Sequence, residues 1–342
     1  MSLTSFTPQP PIPPFQLERG SGGEAKTRNL KFGKQILILL ILSFTGFYSL
    51  FGNINQEYGN NDSIERHPDY KARLIGVSVT ASLLYVGTMT GLYYLWYADY
   101  PKSSFHFIND SGEWLYMDKI GHITTSYWIG RIGYESLRWS GVSKKKATWY
   151  GGMWGFVYLT SVEVFDGFSE EWGASVPDLA ANAIGTGFFI GQQLLWDNQP
   201  FIFKYSFHPT EYADYRPDLL GENFIQQMFK DYNGQTYWLS ANIASFLPET
   251  SRFPKWLDVS FGYGAEGMLG AKSNPPEYNG KPLPDFERYS QYYLSLDIDL
   301  TKIKTNNETV RMLLNLVGYI KIPFPAVEFN RIDKVKWHWM YY

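Results

Sequence analysis

The sequence predicts an α+β protein, with an N-terminal helical bundle of about four to five helices followed by a β-rich C-terminal region carrying an amphipathic sheet. Three observations predict it. Long apolar segments fill residues 74–200. Beyond residue 200 the pattern changes to apolar–polar alternation with a period of two, the mark of strands with one buried face. Charged residues make up only 18% of the 342 residues and aromatic residues another 18%, whereas ordinary soluble domains carry about 25% charge. Tyr and Trp suit membrane–water interfaces because each has an apolar body and a polar tip. The mean hydropathy is −0.26, so only part of the chain is expected in lipid.

The elements follow in order. Residues 1–33 read as a disordered tail, with Pro8, Pro10, Pro11, Pro13 and Pro14 ahead of Gly20, Gly22 and Gly23, a composition that cannot build a core. Lys26, Arg28, Lys31 and Lys34 precede the apolar run Ile36–Phe51. A basic flank before such a run predicts a signal sequence or signal anchor over 34–52. Residues 53–73 are polar and read as a linker. Leu74–Trp96 carries no charge and is long enough to span a bilayer, or to pack tightly within the bundle expected over 74–200. Asp110-Ser111-Gly112-Glu113 predicts a capped helix start, with the helix running to about Trp139. Lys144, Lys145 and Lys146 stand before the apolar stretch Ala147–Val162. Ser175, Pro177 and Asp178 predict a better-capped helix to about Trp196. If every apolar segment spanned, the lysine cluster would lie opposite the basic N-terminus, against the positive-inside tendency. Some of these helices are therefore expected to rest on a membrane surface instead.

The region 201–342 reads as β-rich α+β. In Tyr289–Leu300, Tyr292, Leu294, Leu296, Ile298 and Leu300 face one way and Gln291, Tyr293, Ser295, Asp297 and Asp299 the other. Thr236–Ile243, Trp256–Tyr263 and Lys334–Tyr341 also read as strands, and Glu308–Tyr319 as a short amphipathic helix. The aromatic C-terminus suits the girdle of an outer-membrane barrel or a half-buried periplasmic sheet equally. Gly262–Gly267 lacks the Lys-Ser/Thr of a phosphate loop and reads as a glycine-rich strand end.

A net charge of −3 excludes a general nucleic-acid binder, which needs a basic excess. The chain has no cysteine, which removes disulfides, thiol catalysis and Cys-based zinc sites.

Three polar pairs sit on or beside apolar segments: Asp118 with His122, Glu163 with Asp166, and Asp178 with Asn182. Each spacing puts both members on one helix face. Ionisable groups in such segments cost several kcal/mol, of order 2–7, unless partnered, so the three faces are expected to converge. Asp118, His122, Glu163, Asp166 and Asp178 could hold a divalent metal ion such as Mg²⁺, Mn²⁺ or Zn²⁺. Asp118, His122, Glu163 and Asp166 could serve in acid–base catalysis. The same residues, with Asn182, could instead form a closed structural polar network.

Asp118-Lys119-Ile120-Gly121-His122, Glu163-Val164-Phe165-Asp166, and Ser175-Val176-Pro177-Asp178 with Asn182 and Gly185 resemble the YfiM-like family of bacterial periplasmic or membrane-linked proteins, in its Bacteroidetes form. The pattern D-x-x-G-H, E-x-x-D, D-x-x-x-N-x-x-G is loosely similar to VanZ-like membrane proteins. The core of the resemblance covers about residues 112–196. It implies a bacterial envelope location and supplies no reaction. Members are often described as lipoproteins, and without a cysteine the attachment here is expected from the N-terminal apolar segment, the bundle or a partner.

The expected function is that of a membrane-associated cell-envelope protein with its folded part periplasmic, a structural or accessory component of an envelope complex in contact with membrane lipid. The alternative is a metal-assisted hydrolase or transferase acting on a lipid or cell-wall intermediate. An open pocket with converging ligands would favour the enzyme; a sealed network would favour the structural component.

Overall fold

A computed structural model of the chain describes residues 69–98 and 101–341. The expected tail (1–33), signal or anchor (34–52) and most of the linker (53–73) lie outside the described residues.

The described chain is a mixed α+β structure of helices followed by a large antiparallel sheet. Helix α1 (Tyr70–Leu92) continues into a π-helical turn, Tyr93–Tyr97. Strand β1 (Phe107–Ile108) precedes α2 (Met117–Trp139), α3 (Trp154–Gly167), strand β2 (Ala174–Ser175) and α4 (Val176–Trp196). Next come β3 (Phe201–Phe207), α5 (Phe224–Lys230), β4 (Gln235–Asn242), β5 (Leu257–Glu266) and β6 (Tyr289–Ile298). The chain ends with α6 (Glu308–Val317), β7 (Phe324–Asn330) and β8 (Lys334–Tyr341). The strand order is β8-β7-β6-β5-β4-β3, antiparallel throughout.

Helix α1 is long and apolar enough to cross a membrane by length and composition, and most of it is left uncovered by the rest of the described chain. One side packs on the α2–α3 layer, where Tyr85 Oη donates to Ser161 Oγ at 2.7 Å. Helices α2 and α4 meet at a close approach. A Cβ at Gly185 would collide with the carbonyl oxygen of Ile123, so this motif glycine is a packing requirement. Helix α2 and the turn before it also lie on the sheet: Trp128 Nε1 donates to the Phe203 carbonyl at 2.7 Å, and Tyr263 Oη to the carbonyl of Leu115, in that turn, at 2.6 Å.

One expected helix start is corrected. Asp110 does not cap a helix. A 3₁₀ turn covers Glu113–Tyr116, and Trp114, Leu115 and Tyr116 all take positive φ, at 51°, 49° and 67°. Three left-handed non-glycine residues in a row are costly. The regular helix begins only at Met117. The expected cap at Ser175 does form, its Oγ accepting from the Asp178 N–H at 3.0 Å.

The sheet curls back on itself. Strands β4 and β8 stand four places apart in the strand order, about 19 Å across a flat sheet. Yet Thr236 Oγ1 lies 3.1 Å from Tyr341 Oη. Lys204 on β3 reaches Asp297 on β6 at 2.7 Å, with both side chains fully buried. The outer edge of β3 is covered by residues 319–321: the Tyr205 N–H donates to the Tyr319 carbonyl and the Lys321 N–H to the Tyr205 carbonyl, each at 2.9 Å.

The alternation seen in the sequence is present, but the buried face is the polar one. Along β6, Gln291, Tyr293, Ser295 and Asp297 are buried while Tyr292, Leu294 and Leu296 are exposed. The curled interior holds Lys204, Lys321 and Asp297, with Lys321 Nζ 3.7 Å from Asp297. Glu328 and His338 pair there at 2.6 Å. These charges tolerate burial because they are paired and hydrogen-bonded.

Candidate functional site

The site is assembled where α2, α3 and α4 meet the β1–β2 bridge. The parallel register Phe107↔Ala174, Ile108↔Ser175 sets Asp110 beside the start of α4. Ser175 Oγ donates to Asp110 Oδ1 at 2.6 Å, and the Ser175 N–H donates to Glu163 Oε2 of α3 at 2.9 Å. One serine thus joins a loop, a helix start and a neighbouring helix.

At the centre stands Lys119. Its Nζ lies 2.6 Å from Asp110 Oδ2, 2.8 Å from Asp118 Oδ2 and 2.8 Å from Asp178 Oδ1. Asp118 also accepts from Tyr232 Oη at 2.7 Å, which ties the helices to the segment before β4. Gly121 leaves room for Tyr237, whose hydroxyl oxygen would stand 2.8 Å from a Cβ there.

His122, one helical turn beyond Asp118, faces α4. Its Nδ1 is 3.0 Å from Asn182 Oδ1. Its Nε2 is 3.8 Å from Asp118 and 4.0 Å from Asp178, and Nδ1 is 3.9 Å from Glu163. With Asn182 accepting through Oδ1, Nδ1 carries a proton. Asn182 Nδ2 is buried without a hydrogen-bond partner among the described residues.

Of the residues expected to converge, Asp118, His122, Glu163, Asp178 and Asn182 come together. Asp166 sits to the side and accepts from Tyr97 Oη, in the turn after α1, at 2.7 Å. Burial leaves its mark on the carboxyls. It pushes Glu163 up to about 8, and Asp166 and Asp178 each up to about 6. For Asp118, burial acts upward too, but His122 and Lys119 outweigh it and hold the carboxyl below its usual range. For His122, burial acts downward, and the carboxylates of Asp118, Asp178 and Glu163 overcome it, so the imidazolium is favoured. Near neutral pH the centre therefore contains the Lys119 cation among ionised Asp118 and Asp178, while Glu163 keeps its proton and the surrounding carboxylates favour the charged form of His122.

The spacing of pairs did not single out Lys119, Asp110, Ser175 or Tyr232. Lys119 had one visible signal: a lysine inside the motif Asp118-Lys119-Ile120-Gly121-His122. Asp110 and Tyr232 had none, because long-range chain pairing brings them in.

Two chemistries fit the geometry. Asp118, His122 and Asp178 each offer one ligand atom, all within 4.8 Å of one another, a donor set compatible with a divalent cation. Lys119 already occupies the space among the carboxylates. The side chains of Asp178, Glu163 and Lys119 are nearly sealed from solvent.

Residues 106–192 match the model of a family described as "Predicted periplasmic lipoprotein (DUF2279)". The matched span includes β1, α2, α3 and α4 up to Gln192, and with them Lys119 and the residues around it. No curated protein and no solved structure matches the chain. The match agrees with a bacterial envelope location, periplasmic and membrane-associated.

Proposed function

We propose that the chain is a structural or accessory component of an envelope complex, in which α1–α4 act as a bundle locked by a closed ionic network. One observation carries this: Lys119 Nζ stands within 2.8 Å of three carboxylates, where a bound metal would have to compete with it. The chain supplies its own cation, and a buried acid cluster compensated in this way needs no ion for stability. Membrane lipid and a protein complex are the partners this proposal expects. The likeness to YfiM-like and VanZ-like proteins agrees with it and adds no reaction.

A metal-assisted hydrolase or transferase on a lipid or cell-wall intermediate is the second reading. The observation in its favour is the triplet Asp118, His122 and Asp178. It requires Lys119 to withdraw and an ion to activate water.

Metal analysis of the purified full chain, beside an Asp118→Ala, His122→Ala variant, separates the two. The structural proposal expects no stoichiometric metal in either protein, including after incubation with Mn²⁺ or Zn²⁺ and desalting. One equivalent held by the unaltered chain and lost in the variant would overturn it in favour of the enzyme.

A further inference from the structure

We propose that the outward face of β5, β6, β7 and β8 lies against the hydrocarbon of a lipid bilayer. The proposal extends the membrane-associated placement and does not depend on the Lys119 network, so either can fail alone.

The first support is the polarity of the sheet. A soluble antiparallel sheet buries its apolar face and leaves the polar one in water. Here the polar face is curled inwards around Lys204–Asp297 and Glu328–His338. The apolar face is turned out. One cross-strand row on that face reads Leu239, Phe261, Leu294, Val327 and Trp337; in the next, Tyr237 and Tyr263 are covered by the helical layer and Tyr292, Phe329 and Val335 are exposed. Phe261 is 51% exposed, Leu294 50% and Trp337 53%. Apolar-out, polar-in alternation is the polarity of lipid-facing barrel strands. Strands β5 and β6 have ten residues each, within the 9–11 or so that a tilted strand needs to cross a hydrocarbon layer.

The second support is where the charges fall. No outward side chain of β5, β6, β7 or β8 is charged in these rows. Exposed cations stand at both ends of the strands: Lys255 and Lys304 at one end, and at the other Arg331 and Lys334, the first residue of β8, with the exposed Asp333 between them. Arg331 shares its charge with Glu287 at 2.9 Å. Lysine and arginine at the two borders of an uncharged band complement the phosphates of the two headgroup layers. Exposed Tyr292 and Trp339 add the interfacial aromatics that such a band favours.

A second copy of the chain, or a protein partner, would also cover apolar surface. Neither accounts for cations at both borders of a charge-free band, so lipid is the occupant proposed.

The chain has no cysteine, so single labels are unambiguous. An environment-sensitive NBD fluorophore is attached to Phe261→Cys, Leu294→Cys or Trp337→Cys in the full chain, with exposed Lys281→Cys as control. Circular dichroism confirms that each variant is folded, and the three outward positions report independently. The proteins are reconstituted in phosphatidylethanolamine–phosphatidylglycerol vesicles, with and without brominated acyl chains. The proposal expects a blue shift of emission and at least a twofold loss of intensity with brominated lipid at the outward positions, and neither at position 281. Blue-shifted emission that brominated lipid does not quench would mean that protein covers this face, and would overturn the proposal. Water-like emission at all outward positions, in protein that nonetheless floats with the vesicles, would also overturn it, leaving attachment to other segments.

Discussion

The helical layer and the curled sheet both bury charge, and they do so in opposite ways. The helices are apolar around most of their surface and gather a few ionisable groups where α2, α3 and α4 touch. The sheet gathers most of its polar groups on one face, beside Trp238, Tyr293 and Ala326, and turns that face inward. In the helices, burial raises Glu163 to about 8 and the cluster is held by a single lysine. In the sheet, Lys204 and Lys321 meet Asp297, and His338 meets Glu328, so the charges are spread along the interior. The difference teaches that hydrophobic patterning specifies faces, and that the surroundings decide which face is inside.

The comparison can be broken at either centre, and there the largest effects are expected. Asp297→Ala would leave Lys204 in a sealed interior with its main partner gone, at a cost of about 3–5 kcal/mol. Replacing Lys204 and Asp297 together by Met and Leu should restore most of that loss, because a well-packed apolar pair avoids desolvation altogether. Chemical denaturation of the two proteins in a common detergent checks both figures. If Asp297→Ala unfolds at the same denaturant concentration as the parent, the sheet interior is wetter than described.

The next effect is pH-dependent and belongs to the helices. Glu163 has a folded-state pKa of about 8 against an ordinary value of 4.5. A raised acid contributes stability that is fully present below its unfolded value and is lost as pH rises through the folded value. The chain should therefore lose stability between about pH 5 and pH 8, and His122, also raised, acts in the same direction. Asp118, which is lowered, acts only as the pH falls below the ordinary carboxylate range. Glu163→Gln should remove about 2 kcal/mol of this slope, allowing for partial relaxation around a charged Glu163. Melting temperatures at pH 5.5 and 8.5 read the effect. An unchanged slope in the variant would mean that Glu163 is ionised throughout.

The smallest effect is expected on the outside of the sheet. Leu294→Ser should change stability in detergent by under about 1 kcal/mol, since the side chain is half exposed and leaves no sealed cavity. The same substitution at a buried leucine would cost about 2–5 kcal/mol. A large loss at Leu294 would show that the face is covered by protein and would move it into the core.

Much of the helical site was legible in the sequence because helix geometry is local. Steps of four residues put Asp118 with His122 and Asp178 with Asn182 on shared faces, and the structure brings both pairs together. The step of three from Glu163 to Asp166 put them on neighbouring parts of a face, near enough for Glu163 to enter the centre while Asp166 turned to Tyr97. Lys119 was not legible as the centre. It follows Asp118 directly, about 100° around the helix, and its long side chain reaches back across that angle. Spacing rules describe where a Cβ points, and a lysine acts at the far end of four methylenes. Asp110 was misread as a helix cap because Asp110-Ser111-Gly112-Glu113 resembles one; the left-handed turn at Trp114–Tyr116 intervenes.

In the sheet, the alternation of β6 and the strands at β4, β5 and β8 were legible. Strands β3 and β7 were not read as strands, although β7 forms a tight hairpin with β8. The inward turn of the polar face was hidden. A period of two is identical whether its apolar side meets a protein core or lipid. Only the contacts between distant strands, such as Lys204 with Asp297 and Thr236 with Tyr341, reveal the direction of curl.

The central claim is that Lys119 closes the helical network as its internal cation. A double-mutant cycle on Lys119→Met and Asp178→Asn, read by unfolding in metal-free buffer, tests it most directly. The account predicts that each single change costs several times as much as a surface substitution and that the two are coupled by about 2–3 kcal/mol. Additive effects, with Lys119→Met close to the parent protein, would contradict it.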